Sequence, residues 1–301
     1  MTRVAVLDDY QGVARRFGDW DSLDAEVEVF TRHYDDIAHL EPFDVIMAMR
    51  ERTPFSRERL ERLPNLKLLV TTGMGNAAID VEAARELGIT VAGTGGTPTH
   101  TAELTWGLIL ALARHIPHED RAVREGRWQE TVGVEMAGLT LGVIGLGRLG
   151  SQVARIGEAF GMDVIAWSQN MDTPLTKEEL LRRSDIVTIH VRLSERTRGL
   201  IGAEELALMK PTAYLINTSR GPIVDEEALA GALHDGTIAG AGIDVYDTEP
   251  LPQDHPLRSA PNTVLTPHIG YVTTASYTRF YEDAVEDVAA FLRGESVRVI
   301  N

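Results

Sequence analysis

The sequence has no cysteine among its 301 residues, which excludes disulfide bonds, thiol nucleophiles and zinc–thiolate sites. Basic residues are fewer than acidic ones, and the formal net charge is −16. A protein surface with this negative charge repels nucleic acids and anionic membranes. The longest nearly apolar stretch, Leu104–Ala113, is too short to cross a bilayer. The N-terminus reaches an acid at Asp8, too early for a secretory signal. We therefore expect a cytoplasmic protein with no nucleic-acid or membrane partner and no metal site.

Short apolar runs alternate with helical patterns along most of the chain. Strands separated by helices indicate parallel βαβ units. A first series has strands predicted at residues 4–7, 27–30, 45–49, 66–71 and 89–91. A second series has six, at residues 141–144, 164–167, 186–190, 214–217, 240–245 and 263–266. The pattern predicts an α/β protein with two Rossmann-like domains, doubly wound parallel sheets and a cleft between them.

Two features predict the domain limits. Residues 94–98 form a stretch rich in glycine and proline that breaks the first series. A long helix is predicted at residues 274–294, and a lone terminal helix of that length needs a surface to pack on. We expect it to return to the first domain. This gives a discontinuous substrate-binding domain of residues 1–95 plus 273–301, and a dinucleotide-binding domain of residues 96–272.

The segment Gly145-Leu146-Gly147-Arg148-Leu149-Gly150 matches the GxGxxG pattern of dinucleotide-binding loops. It follows a predicted strand and opens a predicted helix, which is the context that the pattern requires. The first glycine allows a tight turn, the second lets the backbone approach a pyrophosphate, and the third lets helix and strand pack closely. Free N–H groups at the helix start favour an anion, and Arg148 adds a positive charge.

The choice between NAD and NADP stays open. An acid is expected about 20 residues after the glycine loop to bind the ribose 2′-hydroxyl. The sequence has Ser168 there, which removes the repulsion of a 2′-phosphate. No arginine follows at once to bind that phosphate, and Arg192, after the next strand, is the nearest candidate.

Three polar residues, Arg220, Glu249 and His268, come shortly after three late strands. Ligands of an open parallel sheet bind outside these strand ends. Hydride addition to a 2-keto acid leaves an alkoxide that needs a proton, which a histidine can supply. A carboxylate would orient the imidazole, and an arginine would bind the substrate carboxylate with its guanidinium fork. Each residue alone would also suit an ordinary loop, so the prediction rests on all three.

At these residues the chain resembles the D-isomer-specific 2-hydroxyacid dehydrogenase family, which includes phosphoglycerate, glycerate and glyoxylate/hydroxypyruvate enzymes. The resemblance extends over nearly the whole chain. Its matching stretches are residues 73–75, 79–80, 101–103, 146–150, 209–211, 217–221, 244–246, 249–251 and 265–270. It implies a nicotinamide-dependent oxidoreductase acting on a small D-2-hydroxy acid or 2-keto acid. It also implies a homodimer joined through the nucleotide domain, with the helix over residues 104–114 and the loop containing Trp128 in the interface.

The resemblance further implies roles for single residues. Arg220 would bind the substrate, and His268 would be the acid/base with Glu249 as its partner. Asp244 and Thr218 would hold the nicotinamide carboxamide. The full set of expected cofactor contacts is Gly145, Gly147, Arg148, Leu149, Gly150, Ser168, His190, Arg192, Thr197, Thr218, Ser219, Arg220, Asp244, His268 and Gly270. The expected substrate contacts are Met74, Gly75, Arg220, His268 and Tyr271.

Four residues depart from the family pattern. Ser168 replaces a frequent Asp and Arg192 a frequent Pro, which affects the cofactor. Asn76 replaces a frequent Asp and Tyr271 a frequent Gly, which affects the substrate. Two other interpretations stay open: a cofactor-sensing binding protein of the corepressor type on the same fold, and a formate dehydrogenase. The latter chemistry would suit a neutral amide beside the histidine, so Glu249 argues against it.

Overall fold

The computed structural model describes residues 1–97, 100–169 and 174–301. Pro98 and Asn170, which belong to two loops considered above, lie outside the described residues. The chain divides into two compact units, one of residues 1–97 and 272–301 and the other of residues 98–271. The boundaries expected from the sequence, 95/96 and 272/273, fall within two residues of these divisions.

The first unit is built on a parallel five-stranded sheet. Its strands are β1 (Thr2–Val6), β2 (Ala25–Val29), β3 (Val45–Ala48), β4 (Leu68–Thr71) and β5 (Thr90–Gly93), in the order β2-β1-β3-β4-β5. Its first three helices are α1 (Ala14–Phe17), α2 (Arg57–Glu61) and α3 (Val81–Glu86). Every residue of β3 and β4 is buried, as expected of central strands of a parallel sheet covered on both faces.

The second unit is built on a parallel six-stranded sheet. Its strands are β6 (Thr140–Ile144), β7 (Asp163–Trp167), β8 (Ile186–Ile189), β9 (Tyr214–Asn217), β10 (Gly240–Ile243) and β11 (Thr263–Leu265). Its helices are α4 (His100–Ala113), α5 (Ile116–Arg124), α6 (Arg148–Ala159), α7 (Lys177–Arg183), α8 (Ala203–Leu208) and α9 (Glu226–His234). The strand order β11-β10-β9-β8-β6-β7 reverses between β6 and β8, and such a switch point is where doubly wound sheets bind ligands. The predicted α/β fold class with two Rossmann-like domains is confirmed.

Helix α4 packs on the sheet of its own unit. Its apolar residues, among them Trp106, Leu108 and Ile109, are buried within the second unit, in one cluster with Leu141 and Ile216 of the sheet. This face of the helix packs on β9 and β10, and the expected place of residues 104–114 in a dimer interface stays a prediction.

The terminal helix α10 (Thr274–Leu292) belongs to the first unit. It contributes buried aromatic residues, Tyr277, Phe280 and Tyr281, and packs on α1 and β4. The last residues then run along β5, where the Ile300 N–H donates to the Val91 carbonyl at 2.8 Å. Among the described residues, no helix is long and apolar enough to cross a membrane. The cytoplasmic location stays a prediction.

Candidate active site

The glycine loop forms the connection from β6 to α6. Gly145 has a φ of +96°, a conformation that favours glycine, and an added Cβ would lie 2.7 Å from the His190 carbonyl oxygen. An added Cβ at Gly150 would lie 2.0 Å from the Gly145 carbonyl oxygen. The first and third glycines of the motif are therefore required by the packing of the protein itself.

Gly147 differs from both. Its φ of −77° suits any residue, and an added Cβ would meet no atom within 4 Å. It is the N-cap of α6 and offers no side chain to the first N–H groups of that helix. Nothing within the chain requires a glycine here, whereas close approach of a phosphate group would. The loop therefore fits the pyrophosphate of a dinucleotide, with the exposed Arg148 beside it.

The other expected cofactor residues lie around the switch point. Ser168 directly follows β7, whose Trp167 carbonyl accepts the Gly145 N–H at 2.8 Å. Arg192 is exposed in the loop after β8. Thr197 is buried in the same loop, and its hydroxyl donates to the Arg192 carbonyl at 2.7 Å. The structure thus gives Thr197 a role in shaping the loop that presents Arg192.

His190 follows β8 and is held by Thr188, whose hydroxyl lies 2.9 Å from Nε2. Its Nδ1 is buried and has no hydrogen-bond partner among the described residues. Burial lowers the pKa of His190 to about 3, so the imidazole is neutral near physiological pH. A neutral, buried ring nitrogen beside the glycine loop is a group that a ligand could satisfy.

The predicted catalytic pair comes together. The Nδ1 of His268 lies 2.6 Å from Oε2 of Glu249, with the two side chains 12% and 22% exposed. The other Glu249 oxygen accepts the Tyr246 N–H at 3.0 Å, which fixes the carboxylate on the loop after β10. The carboxylate therefore holds the imidazole in one orientation, and Nε2 is the ring nitrogen that can exchange a proton with a substrate.

Asp244 holds the segment that carries His268. Its Oδ1 accepts the Thr266 hydroxyl at 2.6 Å and the Ile269 N–H at 2.8 Å, and its Oδ2 accepts the Gly270 N–H at 2.9 Å. Burial raises the pKa of Asp244 above its usual range, while these donors act in the opposite direction. The structure thus shows Asp244 as an anchor of the histidine loop, a role that the sequence analysis did not assign to it.

Arg220 lies at the end of β9, next to β10 in the sheet. Its guanidinium Nη1 donates to the Ser219 carbonyl at 2.6 Å, and its own carbonyl accepts from the Asn217 side chain at 3.0 Å. Asn217, Ile243 and Leu265 are level with one another in β9, β10 and β11. Adjacent parallel strands lie about 4.8 Å apart. Arg220, Glu249 and His268 therefore all follow the carboxyl ends of neighbouring strands, on the same side of the sheet.

The neighbouring candidates have contacts of their own. The Thr218 and Thr105 hydroxyl oxygens lie 2.9 Å apart, and the Ser219 hydroxyl donates to the Ile189 carbonyl at 2.7 Å. Tyr271 is buried, and its ring meets that of His268 edge-on with centroids 5.6 Å apart. Tyr271 therefore lies against the proposed acid/base in the second unit.

Met74 and Gly75 belong to the first unit. They follow β4, directly after Gly73, whose φ is +85°. The Met74 side chain is among the exposed large apolar groups of the chain. Their predicted contact with a substrate stays a prediction.

The sequence analysis missed two supporting residues. The Tyr246 hydroxyl donates to the Ile243 and Thr266 carbonyls, at 3.2 and 3.1 Å, and so ties the loop after β10 to that after β11. Thr266 in turn bonds Asp244. The only sequence signal was their position beside Asp244 and His268. Across the described part of the chain, no cluster of three or more His, Asp or Glu side chains could hold a metal ion.

Comparison with known proteins identifies the family. Residues 106–270 match the family model of the D-isomer specific 2-hydroxyacid dehydrogenase, NAD binding domain. A glyoxylate reductase from Aeropyrum pernix is 44% identical over 255 residues, covering 78% of this chain and 76% of that protein. A hydroxypyruvate reductase from Blautia hydrogenotrophica is 33% identical over 94% of this chain and 95% of its own length. The crystal structure of a phosphoglycerate oxidoreductase from Vibrio cholerae superposes with a TM-score of 0.92 at 36% identity, covering 98% of this chain and 100% of the other. The chain belongs to the D-isomer-specific 2-hydroxyacid dehydrogenase family, whose members are nicotinamide-dependent oxidoreductases.

Proposed function

We propose that Arg220, Glu249 and His268 carry out the reduction of a small 2-keto acid, or its reversal, in this chain. The observation that carries the proposal is the 2.6 Å contact between Glu249 and His268 at the sheet edge where Arg220 also emerges. The glyoxylate and hydroxypyruvate reductases to which the chain is similar favour a keto acid of two or three carbons.

The nicotinamide, when bound, supplies or accepts the hydride at C2 of the acid. Arg220 binds the substrate carboxylate and polarises the C2 carbonyl with its guanidinium. His268 donates a proton from Nε2 to the oxygen at C2, since Nδ1 faces Glu249. Glu249 stabilises the protonated imidazole before the transfer, and in the reverse direction the same nitrogen accepts the hydroxyl proton. Tyr271, whose ring lies against that of His268, limits the room beside C3.

The cofactor is held by the loops at the switch point, with its pyrophosphate at Gly147 and Arg148. We propose that the chain accepts NADP as well as NAD. Ser168 carries no charge to repel a 2′-phosphate. Arg192 is an exposed cation in the loop after β8 that could bind this phosphate. Thr197 supports this proposal indirectly, because its hydroxyl fixes the backbone at Arg192.

We also propose a homodimer joined through the second unit. Trp128 and Val132, in the irregular segment of residues 127–135 after α5, are 74% and 91% exposed. We call this segment the arm. Single exposed apolar residues are ordinary, but a tryptophan and a valine four residues apart on this arm suit a self-complementary contact.

The test is steady-state reduction of glyoxylate, hydroxypyruvate, pyruvate and larger 2-keto acids, each with NADH and NADPH. We expect turnover with at least one of the two- or three-carbon acids and measurable use of both cofactors. A protein that binds cofactor tightly but reduces none of them would instead favour the corepressor-type alternative, which none of the three similar proteins supports.

A further inference from the structure

A second carboxylate–imidazole pair lies beside the first in the second unit. Oε2 of Glu226 lies 3.0 Å from Nε2 of His255, and Glu226 is only 8% exposed. Glu226 begins α9, six residues after Arg220, and His255 precedes a 3₁₀ turn at Pro256–Arg258. The mechanism above makes no use of either residue.

The two pairs bind consecutive backbone groups of one loop. Glu249 accepts the N–H of Tyr246 at 3.0 Å, and Oε1 of Glu226 accepts the N–H of Asp247 at 3.1 Å. Glu226, which lies six residues after Arg220, thus binds the loop at Asp247, two residues before Glu249. A displacement of that loop would move the carboxylate that orients His268.

The same place joins the loop to the Arg220 segment. An added Cβ at Gly221 would lie 2.0 Å from the Tyr246 carbonyl carbon and 2.3 Å from the Asp247 nitrogen. The backbone next to Arg220 therefore packs directly on the backbone that carries Glu249. The hydrogen bond from the Asp247 N–H to Glu226 is a second link at the same place. The segment with Arg220 and the loop with Glu249 are therefore held together by both contacts.

His255 is suited to hold Glu226. Its Nδ1 accepts the Leu257 N–H at 3.3 Å, which leaves the proton on Nε2 and directs it at the Glu226 carboxylate. A buried carboxylate is destabilised unless it is paired and hydrogen-bonded. His255 and the Asp247 N–H supply one donor to each of its oxygens.

We infer that Glu226 and His255 are positioning residues for the reaction, which fasten the Glu249 loop to the Arg220 segment and so set the geometry of the Glu249–His268 pair. The inference rests on the proposed function of those three residues. It assigns no contact with the substrate to Glu226 or His255.

The test compares three variants with the wild type in glyoxylate reduction. Glu226→Ala removes both contacts of the carboxylate, whereas Glu226→Gln retains an oxygen for the Asp247 N–H. His255→Asn keeps an acceptor for the Leu257 N–H and loses the contact with Glu226. Glu227→Ala, at the exposed next position, is the matched control. The measurements are kcat, KM, the dissociation constant of NADH, and the pH profile of kcat/KM.

We expect kcat of Glu226→Ala to fall about tenfold, the effect of losing one orienting hydrogen bond. The falling limb of its pH profile should move to lower pH, because a displaced Glu249 stabilises the protonated imidazole less. NADH affinity should stay within about twofold, and Glu226→Gln should recover most of kcat. His255→Asn should shift the profile in the same direction and serves alone if Glu226→Ala does not fold.

An unchanged pH profile in folded Glu226→Ala or His255→Asn would overturn the inference, whether kcat stays the same or falls, because a merely structural role lowers activity without moving the profile. Inactivity of the wild type towards every keto acid would instead reject the proposed function itself.

Discussion

His268 adopts a left-handed backbone conformation, with a φ of 54°, which few non-glycine residues accept. Such a conformation persists only where the surroundings determine it, and it is frequent at functional sites. Here Asp244 binds the two N–H groups that follow His268, and Glu249 binds its ring. The backbone strain and the imidazole orientation thus have the same cause, a set of carboxylates at the end of β10.

Replacing His268 by alanine tests the proton-transfer role. We expect His268→Ala to lower kcat by about two to four orders of magnitude, because general acid catalysis contributes roughly that factor. The dissociation constant of NADH, measured by fluorescence titration, should change little, since the glycine loop that binds the pyrophosphate is intact. Turnover at the wild-type rate would reject His268 as the acid.

Replacing Ser168 by aspartate tests cofactor choice. A carboxylate beside the ribose repels a 2′-phosphate, and a like-charge contact near the surface costs on the order of 1 to 4 kcal/mol. We therefore expect Ser168→Asp to lower kcat/KM for NADPH at least tenfold and to leave kcat/KM for NADH the same or higher. Ser168→Ala, which adds no charge, is the control. Equal effects of Ser168→Asp on the two cofactors would show that residue 168 does not contact the 2′ position.

At the scale of helices and strands, the sequence predicts much of the fold. The strand at 214–217 has the predicted limits, because it is a continuous run of buried residues. Other elements were predicted too long: the strand at 240–245 ends at Ile243, because the Asp244 carboxylate binds the neighbouring loop. Long-range hydrogen bonds of this kind leave no local pattern.

In the candidate site, too, some residues could be predicted from local sequence patterns and others could not. Arg220, Glu249 and His268 could be named because each follows a predicted strand and the family pattern repeats them. Glu226 could not, because its partners, Asp247 and His255, are 21 and more residues away and nothing in its helix distinguishes it from Glu227. Residue type and spacing identify groups that react, whereas the groups that hold them in place depend on tertiary packing.

The glycine loop permits a test that separates ligand binding from folding. Gly150→Ala should destabilise the fold by about 1 to 3 kcal/mol, because its Cβ would collide with the Gly145 carbonyl. Gly147→Ala should leave the unfolding midpoint nearly unchanged but weaken NADH binding at least tenfold, because its Cβ would occupy the place of the pyrophosphate. Urea unfolding without cofactor and fluorescence titration with NADH measure the two effects. Full NADH affinity in Gly147→Ala would contradict the assignment of this loop.

In the first unit, His33 links the loops after three strands. Its Nδ1 lies 3.1 Å from Oδ1 of Asp8, whose other oxygen accepts the Thr53 hydroxyl at 2.8 Å. The hydrogen bond to Asp8 raises the pKa of His33 above its ordinary value, against the effect of burial. The protonated ring is therefore bound more favourably in the folded chain than in the unfolded chain.

The pH dependence of stability follows from that direction. The stabilisation by His33 is fully present below its ordinary pKa of 6.5 and is lost as pH rises through the raised value. We expect the urea midpoint of the full chain to fall as pH rises above 6.5, and to fall less in His33→Gln. His234→Gln, a substitution in the second unit, is the control. Equal pH dependence in wild type and His33→Gln would contradict this role of His33.

For the whole molecule, two opposing effects would govern the proposed self-association. Each chain carries a formal charge of −16, so two copies repel each other over the Debye length, about 10 Å at 0.1 M salt. The exposed apolar arm around Trp128 and Val132 acts at short range and is insensitive to salt. A dimer built on the arm should therefore dissociate more readily as the salt concentration falls.

Sedimentation equilibrium measures this balance directly. We expect the wild type at 0.15 M salt to have twice the chain mass of 33.0 kDa. Trp128→Asp should shift it to the monomer mass, because a buried interface tryptophan contributes about 2 kcal/mol or more and the substitution adds a charge to each copy. Leu87→Asp, at an exposed apolar site of the first unit, should stay dimeric. A wild type of 33.0 kDa at every salt concentration, or a dimer unaffected by Trp128→Asp, would show that the arm is not the interface.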